Sequence, residues 1–194
     1  VENNAKLKMG ESVLVFGSGG VGLNIIQASK LLSAWPIIAV DKFDNRLELA
    51  KKFGATHTIN SKKQNLELEL SKITKENSLD VFIDNTGSPK VIEIGYELTS
   101  IKGRVILVGV PPKDSNIRIY SLPLHHGKLI IGSHGGECVP QIDIPRYLKL
   151  LTQKKINFDG LVTSRYSIDN INIAIEKMRS GASAGRILID LWTP

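Results

Sequence analysis

Residues 17–22 read Gly17-Ser18-Gly19-Gly20-Val21-Gly22, with the spacing G-x-G-x-x-G. In such a loop the working groups are bare peptide amides rather than side chains. Gly17 permits a tight turn, Gly19 lets the backbone approach a diphosphate, and Gly22 lets the following helix pack on the preceding strand. A helix that opens here adds unpaired N–H groups and a partial positive charge. Asp41 follows nineteen positions after Gly22, at the end of a second apolar run. A carboxylate in that register accepts hydrogen bonds from both hydroxyls of a ribose. A 2′-phosphate on that ribose would face a carboxylate where NADP sites offer an arginine, so the expected ligand is NAD.

Other residues invite chemistry less convincingly. His125-His126, His134 and Cys138 are close in sequence, but their spacing is no known zinc pattern, and one short segment lacks the convergence that metal geometry requires. No metal site is expected, and Cys138 reads as a buried or half-buried thiol without an activating partner. Asp84 closes an apolar run and is expected to shape a crevice rather than act as a base.

The elements that must position these residues follow a βαβ rhythm. Ser12 to Phe16 is an apolar run suited to a strand covered on both faces. Val21, Ile25, Ala28 and Leu32 form a helical stripe with Ile26 beside it, which Ala34-Trp35-Pro36 stops. Ile37 to Val40 is the second strand. Asp44 is expected to cap a helix through Phe53 whose apolar side is Leu47, Ala50 and Phe53, and Gly54 ends it. Thr56 to Ile59 is a short third strand, and Leu66 to Ile73 is amphipathic.

Val81 to Asp84 is the fourth strand, Asn85-Thr86-Gly87 its turn, and Ser88-Pro89 the cap and first residue of a helix to about Leu98. Arg104 to Val108 and Lys128 to Ile131 are the fifth and sixth strands. Beyond Gly132 the rhythm changes. Ile144-Pro145 opens a helix to about Gln153, while Ile171, Ala174, Ile175 and Met178 stripe another that Gly181 ends. Ile187 to Ile189 is a last apolar run. The expected fold is α/β: a Rossmann doubly wound, parallel six-stranded sheet of order 3-2-1-4-5-6, with a C-terminal helical and strand extension. Residues 1–11 form a lead-in, 12–133 the nucleotide-binding domain, and 134–194 the extension.

Composition sets the outer bounds. The chain has 194 residues, 42% hydrophobic and 23% charged, which excludes a disordered chain. A chain of this length buries roughly 70% of its unfolded surface. One cysteine rules out an internal disulfide framework, and the expected setting is the reducing cytoplasm. No apolar stretch reaches the roughly 18 to 20 residues of a spanning helix. The net charge of +6 is spread over pairs such as Lys51-Lys52, Lys62-Lys63 and Lys154-Lys155 near acidic residues, so neither nucleic acid nor membrane is an expected partner.

Several separate stretches resemble the medium-chain, zinc-dependent alcohol dehydrogenases. They are Val15 to Gly22, Val40-Asp41, Lys52-Phe53-Gly54-Ala55-Thr56, Val108-Gly109-Val110-Pro111-Pro112, Asp169-Asn170-Ile171-Asn172 and Met178-Arg179-Ser180-Gly181. The likeness runs from about Lys8 to Leu191. It implies that Gly17, Gly19, Gly20, Val21 and Gly22 hold a pyrophosphate, and that Asp41, with Lys42 and Arg46 nearby, holds the adenosine ribose. Asn85, Thr86 and Gly87 would lie beside the adenine and nicotinamide half. Val108, Gly109, Val110, Gly132, Ser133 and His134 would meet the nicotinamide ring and its amide. Arg186 would face the pyrophosphate.

The same resemblance implies an oxidoreductase that moves hydride between a small alcohol or aldehyde and NAD, and a homodimer paired through the sixth strand. The zinc ligands of the family's N-terminal catalytic domain do not appear in this chain, so it is expected to bind cofactor without catalysis and contributes no catalytic residue of its own. The segment after Gly132 would return to that domain, leaving Ile187 to Leu191 as an exposed strand edge. Two other readings stay open. One is a stand-alone module sensing the NAD/NADH ratio, for which a dehydrogenase-like segment from Ile144 to Leu191 has no purpose. The other is a metal-free quinone-reductase relative, which Asp41 disfavours. The Tyr-x-x-x-Lys pair of short-chain dehydrogenases is absent: Tyr147 and Lys149 are two apart, and Tyr96, Tyr120 and Tyr166 lack it as well.

Overall fold

Alternation of apolar residues along buried strands sends neighbours to opposite faces, and both faces of this sheet are covered. The computed structural model describes residues 1–74 and 79–192; the last two residues of the expected extension lie outside the described residues. Strands β1 (Val13–Phe16), β2 (Ile37–Asp41), β3 (His57–Asn60), β4 (Leu79–Asp84), β5 (Thr99–Leu107) and β6 (Leu129–Gly132) form a six-stranded sheet in the order β3-β2-β1-β4-β5-β6. Every neighbouring pair is parallel. The order reverses between β1 and β4, where a doubly wound sheet opens its ligand crevice.

On one face Val13, Val15, Ile37, Ala39, Val81 and Ile83 pack with residues of α1 (Gly20–Leu31) and α2 (Asp44–Phe53). Ala5 and Leu7 of the lead-in are buried in this same cluster. On the other face Leu14, Phe16, Ile38, Val40, Phe82 and Val105 pack with Leu70 of α3 (Leu66–Thr74) and Tyr96 of α4 (Pro89–Leu98).

Several expectations need correction. The stripe expected on α1 is not its buried face: Val21 is 45% exposed, while Gly22, Leu23, Ile26, Gln27 and Ser29 are buried. Gly22 must sit against Gly17 for the helix to leave the loop, and that contact fixes the helix rotation. The buried polar side chains of α1 are satisfied. Ser29 donates to the Ile25 carbonyl at 2.8 Å, and the Gln27 amide pairs with the backbone of Asn157 at 2.8 and 3.2 Å. The helix also ends at Leu31, ahead of Ala34-Trp35-Pro36.

Asp44 is the first helical residue of α2 and not its cap; Phe43 holds the cap position with no side-chain hydrogen bond. The Asp44 carboxylate is drawn aside by Lys63 and by the Asn60 amide at 2.6 Å, which together hold it below the usual carboxylate range. Ser88 occupies the cap position of α4 without bonding through its side chain. Lys128 lies outside β6 and is buried, its ammonium donating to the Tyr96 carbonyl at 2.6 Å over the same residue's ring.

A short helix α5 (Leu122–His125) precedes β6. Past the sheet, α6 (Pro140–Thr152) starts four residues before the expected Ile144, with Pro145 inside it. Asp143 explains the early start: its carboxylate accepts the Val139 N–H at 2.9 Å, one position later than in a capping box. Pro145, inside the helix, supplies no N–H to the helical ladder. Strand β7 (Val162–Ser167), which the sequence reading missed, pairs in parallel with β8 (Arg186–Asp190). Its sequence, Val-Thr-Ser-Arg-Tyr-Ser, carries no apolar run. Helix α7 (Ile171–Arg179) lies between them in sequence and buries only Ala174 of its expected stripe. The Ile187 edge is paired on one side by β7, in a sheet of two strands among the described residues.

Candidate functional site

The C-terminal ends of β1, β2 and β4 and the start of α1 surround a crevice of about 480 Å³. Its floor is the glycine loop. Gly17 has a φ of +96°, and a side chain on Gly22 would place its Cβ 2.1 Å from the Gly17 carbonyl oxygen. Only a helix without a side chain at Gly22 can leave the strand this closely. Leu23 makes the first helical hydrogen bond, to Gly19 at 2.9 Å, so the amides of Gly20, Val21 and Gly22 precede the helical ladder. Nothing lies within 4 Å of the point where a Gly19 Cβ would sit. The loop thus leaves three amides outside the helical ladder, next to open space at Gly19.

Asp41, 5% exposed, stands at one end of the crevice. Its Oδ2 accepts the Ser18 N–H at 2.8 Å, and its Oδ1 accepts those of Lys42 and Phe43 at 2.7 and 3.1 Å. It therefore pins the glycine loop to the end of β2, a task that its sequence register does not announce. Arg46 approaches within 3.7 Å of Oδ2 and donates through Nε to the Ser183 carbonyl at 3.2 Å.

Asp84 is fully buried and organises the opposite wall. Its carboxylate accepts Thr86 N–H and Oγ1–H at 2.9 and 2.6 Å and Gly87 N–H at 2.9 Å. Its backbone carbonyl accepts Val108 and Gly109. The expected shaping role is thereby explained by four side-chain and backbone partners rather than by acid–base chemistry. Asn85 donates to the Gly17 carbonyl at 3.3 Å, and its Oδ1 is buried with no partner among the described residues.

Of the residues singled out in the sequence, Gly17, Gly19, Gly20, Val21, Gly22, Asp41, Lys42, Arg46, Asn85, Thr86 and Arg186 line this one crevice. Gly87, Val108, Gly109, Val110, Gly132, Ser133 and His134 lie outside its lining, at the ends of β4, β5 and β6. There Ser133 donates from Oγ to Asn4 at 3.1 Å, and Val110 is 89% exposed. Phe16, Phe43, Met178, Arg179 and Gly181 also line the crevice without having been singled out as site residues. Phe43 was within reach as a neighbour of Asp41. Met178, Arg179 and Gly181 fold back across more than a hundred positions; the stretch that holds them carries the family resemblance, but nothing local in it points to this crevice.

Cys138 is exposed, contrary to expectation, because it precedes α6 on the surface. Partial loss of hydration at its sulfur, and then its hydrogen bond to Asp143, push the thiol upward and away from nucleophilic use. Among the described residues, no three His, Cys, Asp or Glu side chains converge as a metal site requires, so they do not fit a zinc ion. No helix among them is long and apolar enough to cross a membrane.

The sheet order, the switch point and the glycine loop define a Rossmann-type α/β domain. The chain belongs to the zinc-binding dehydrogenase family, the medium-chain alcohol dehydrogenases, whose profile matches residues 20–153. It is 33% identical to the S-(hydroxymethyl)glutathione dehydrogenase of Paracoccus denitrificans over 97% of this chain and 52% of that protein. It is 34% identical to the L-threonine 3-dehydrogenase of Pyrococcus horikoshii over 94% of this chain and 52% of that protein. The crystal structure of benzyl alcohol dehydrogenase from Acinetobacter calcoaceticus superposes with a TM-score of 0.87 at 36% identity, over 96% of this chain and 51% of that one. The chain spans about half the length of the relatives it matches.

Proposed function

We propose that this chain is the NAD-binding half of a zinc-type alcohol dehydrogenase, with residues 12–133 holding the cofactor and 134–194 returning toward the catalytic half. The carrying observation is the pairing in one crevice of unbonded amides at Gly20 to Gly22, open space at Gly19, and Asp41 at the sugar end. Amides at a helix start suit a diphosphate. Asp41 keeps lone pairs beyond its three amide partners and meets the ribose diol, which favours NAD over NADP. Arg186 lies against Gly20, where it adds positive charge to the phosphate seat. Asn85 and Thr86 continue the wall toward the nicotinamide end, with Gly87, Val108, Gly109, Val110, Gly132, Ser133 and His134 beyond them.

When bound, the nicotinamide accepts or returns the hydride of a small alcohol or aldehyde. This chain's residues seat and orient it, and on its own the chain binds cofactor without turnover. Relatives align across the return segment as well as the sheet, which supports a dehydrogenase half over a free-standing sensor. β6 lies at the sheet edge and is the proposed seam of a homodimer. The exposed, unpaired Cys138 suits the cytoplasm. Isothermal titration with NADH tests the reading: binding that weakens about ten- to a hundredfold in Asp41→Ser supports it, and a folded chain that takes up no NADH overturns it.

A further inference from the structure

The guanidinium of Arg186 has no hydrogen-bond partner among the described residues, yet it occupies a defined place. It lies so close to Gly20 that a Cβ there would sit 2.1 Å from Nε and 2.5 Å from Cζ. Arg186 is the first residue of β8, and its N–H is anchored to the Leu161 carbonyl at 2.7 Å. That anchor fixes the backbone but leaves the direction of approach to the preceding turn, residues 181–185.

This turn is fastened to the sugar end of the crevice at three points. Gly181, at φ +75°, abuts the Phe43 ring so tightly that a Cβ would fall 2.0 Å from Cζ. The Asn45 amide donates to the Ala182 carbonyl at 3.3 Å, and Arg46 Nε donates to Ser183 at 3.2 Å. Phe43 is itself fixed from behind, because its N–H is held by Asp41 and Arg46 stacks on its ring at 5.0 Å. Asp41 thus anchors Ser18 of the glycine loop and, through Phe43, the turn that carries Arg186.

We propose that Phe43, Asn45 and Gly181 are positioning residues: they clasp the 181–185 turn to the start of α2 and so hold Arg186 over the phosphate seat of the glycine loop. The inference rests on the reading of that loop as a dinucleotide site. Its consequence is that ribose-end side chains which touch no phosphate still govern how well the phosphates are held.

ADP and adenosine, titrated by calorimetry into the 194-residue chain, separate the possibilities. Arg186→Ala is expected to weaken ADP about tenfold or more, the size of one charge-assisted hydrogen bond, and to leave adenosine unchanged. Gly181→Ala should reproduce that pattern and add less than about twofold on an Arg186→Ala background, because coupled residues are not additive. Asn45→Ala, at an exposed position, should give a weaker version of the same pattern, and it decides the matter if Gly181→Ala fails to fold. Clasp variants that spare ADP affinity, or whose losses add in full to that of Arg186→Ala, or that weaken adenosine equally, overturn the proposal. A wild-type chain that binds neither ADP nor NADH sinks the site reading instead, so the two failures are distinguishable.

Discussion

The six-stranded sheet and the segment after it draw on the same apolar residue types and end in opposite situations. Phe82, Leu14 and Ile38 are fully buried between two helix layers, whereas α6 exposes Ile142 at 59%, Ile144 at 54% and Leu148 at 54% and buries only Asp143. In the sheet, cohesion comes from apolar packing on both faces. In α6 it comes from backbone bonding, a proline at the first position and one carboxylate closing the first turn. The contrast shows that amphipathic pattern states which residue types a segment contains, while burial depends on what stands opposite. It also explains why the crevice is built on the sheet and only fastened by the later turn.

The largest expected effect tests this contrast directly. Phe82→Ala should cost about 3–5 kcal/mol, the price of a large core truncation, while Leu148→Ala should stay within about 0.5 kcal/mol. Urea unfolding of both variants reads the difference, and equal losses would erase the distinction between the two regions.

Next in size is Asp41→Ser. It removes three amide contacts along with the proposed ribose acceptor, so NADH affinity should fall by about ten- to a hundredfold and the gap to NADPH should narrow. Titration of both cofactors checks it, and an unchanged preference would make Asp41 a strut alone.

A smaller change is predicted for Gly20→Ala. The group in its way is the movable end of Arg186, so the melting temperature should hold while NADH binding weakens about tenfold. A thermal shift measured beside the titration separates the two.

The smallest effect concerns the acid limb of α6. The Val139 N–H, ahead of Cys138 and Arg146, holds the Asp143 carboxyl below its ordinary value of 3.8. A carboxyl depressed in the folded state contributes stability above its unfolded pKa and loses it as pH falls through the folded one. Far-ultraviolet circular dichroism below pH 4 should show helix loss in the wild type, and Asp143→Asn should already lack that increment at neutral pH.

Much of this was legible in advance. The β-branched runs at 13–16, 37–41 and 81–84, the glycine spacing and the register of Asp41 together specify a parallel sheet with its ligand loop, because each signal is local and they agree. The termini of α1 and α6 were less legible. The rotation of α1 depends on the Gly22–Gly17 contact, and the start of α6 on a side chain that reaches back to Val139. β7 carried no apolar signal, since a strand in a two-stranded exposed sheet has little to bury.

The amino-acid sequence by itself determined the strands and the phosphate-type loop, through periodicity and through positions where only glycine fits, and the strand order came with the Rossmann fold that this loop pattern indicates. Tertiary structure alone decided that Asp41 ties the loop to β2, that Asp84 builds the facing wall, and that Phe43, Gly181 and Arg186 meet in one crevice. The physical reason is separation along the chain. Residues 43 and 181 touch because the 181–185 turn folds onto the start of α2, and no local propensity encodes a contact between segments that far apart.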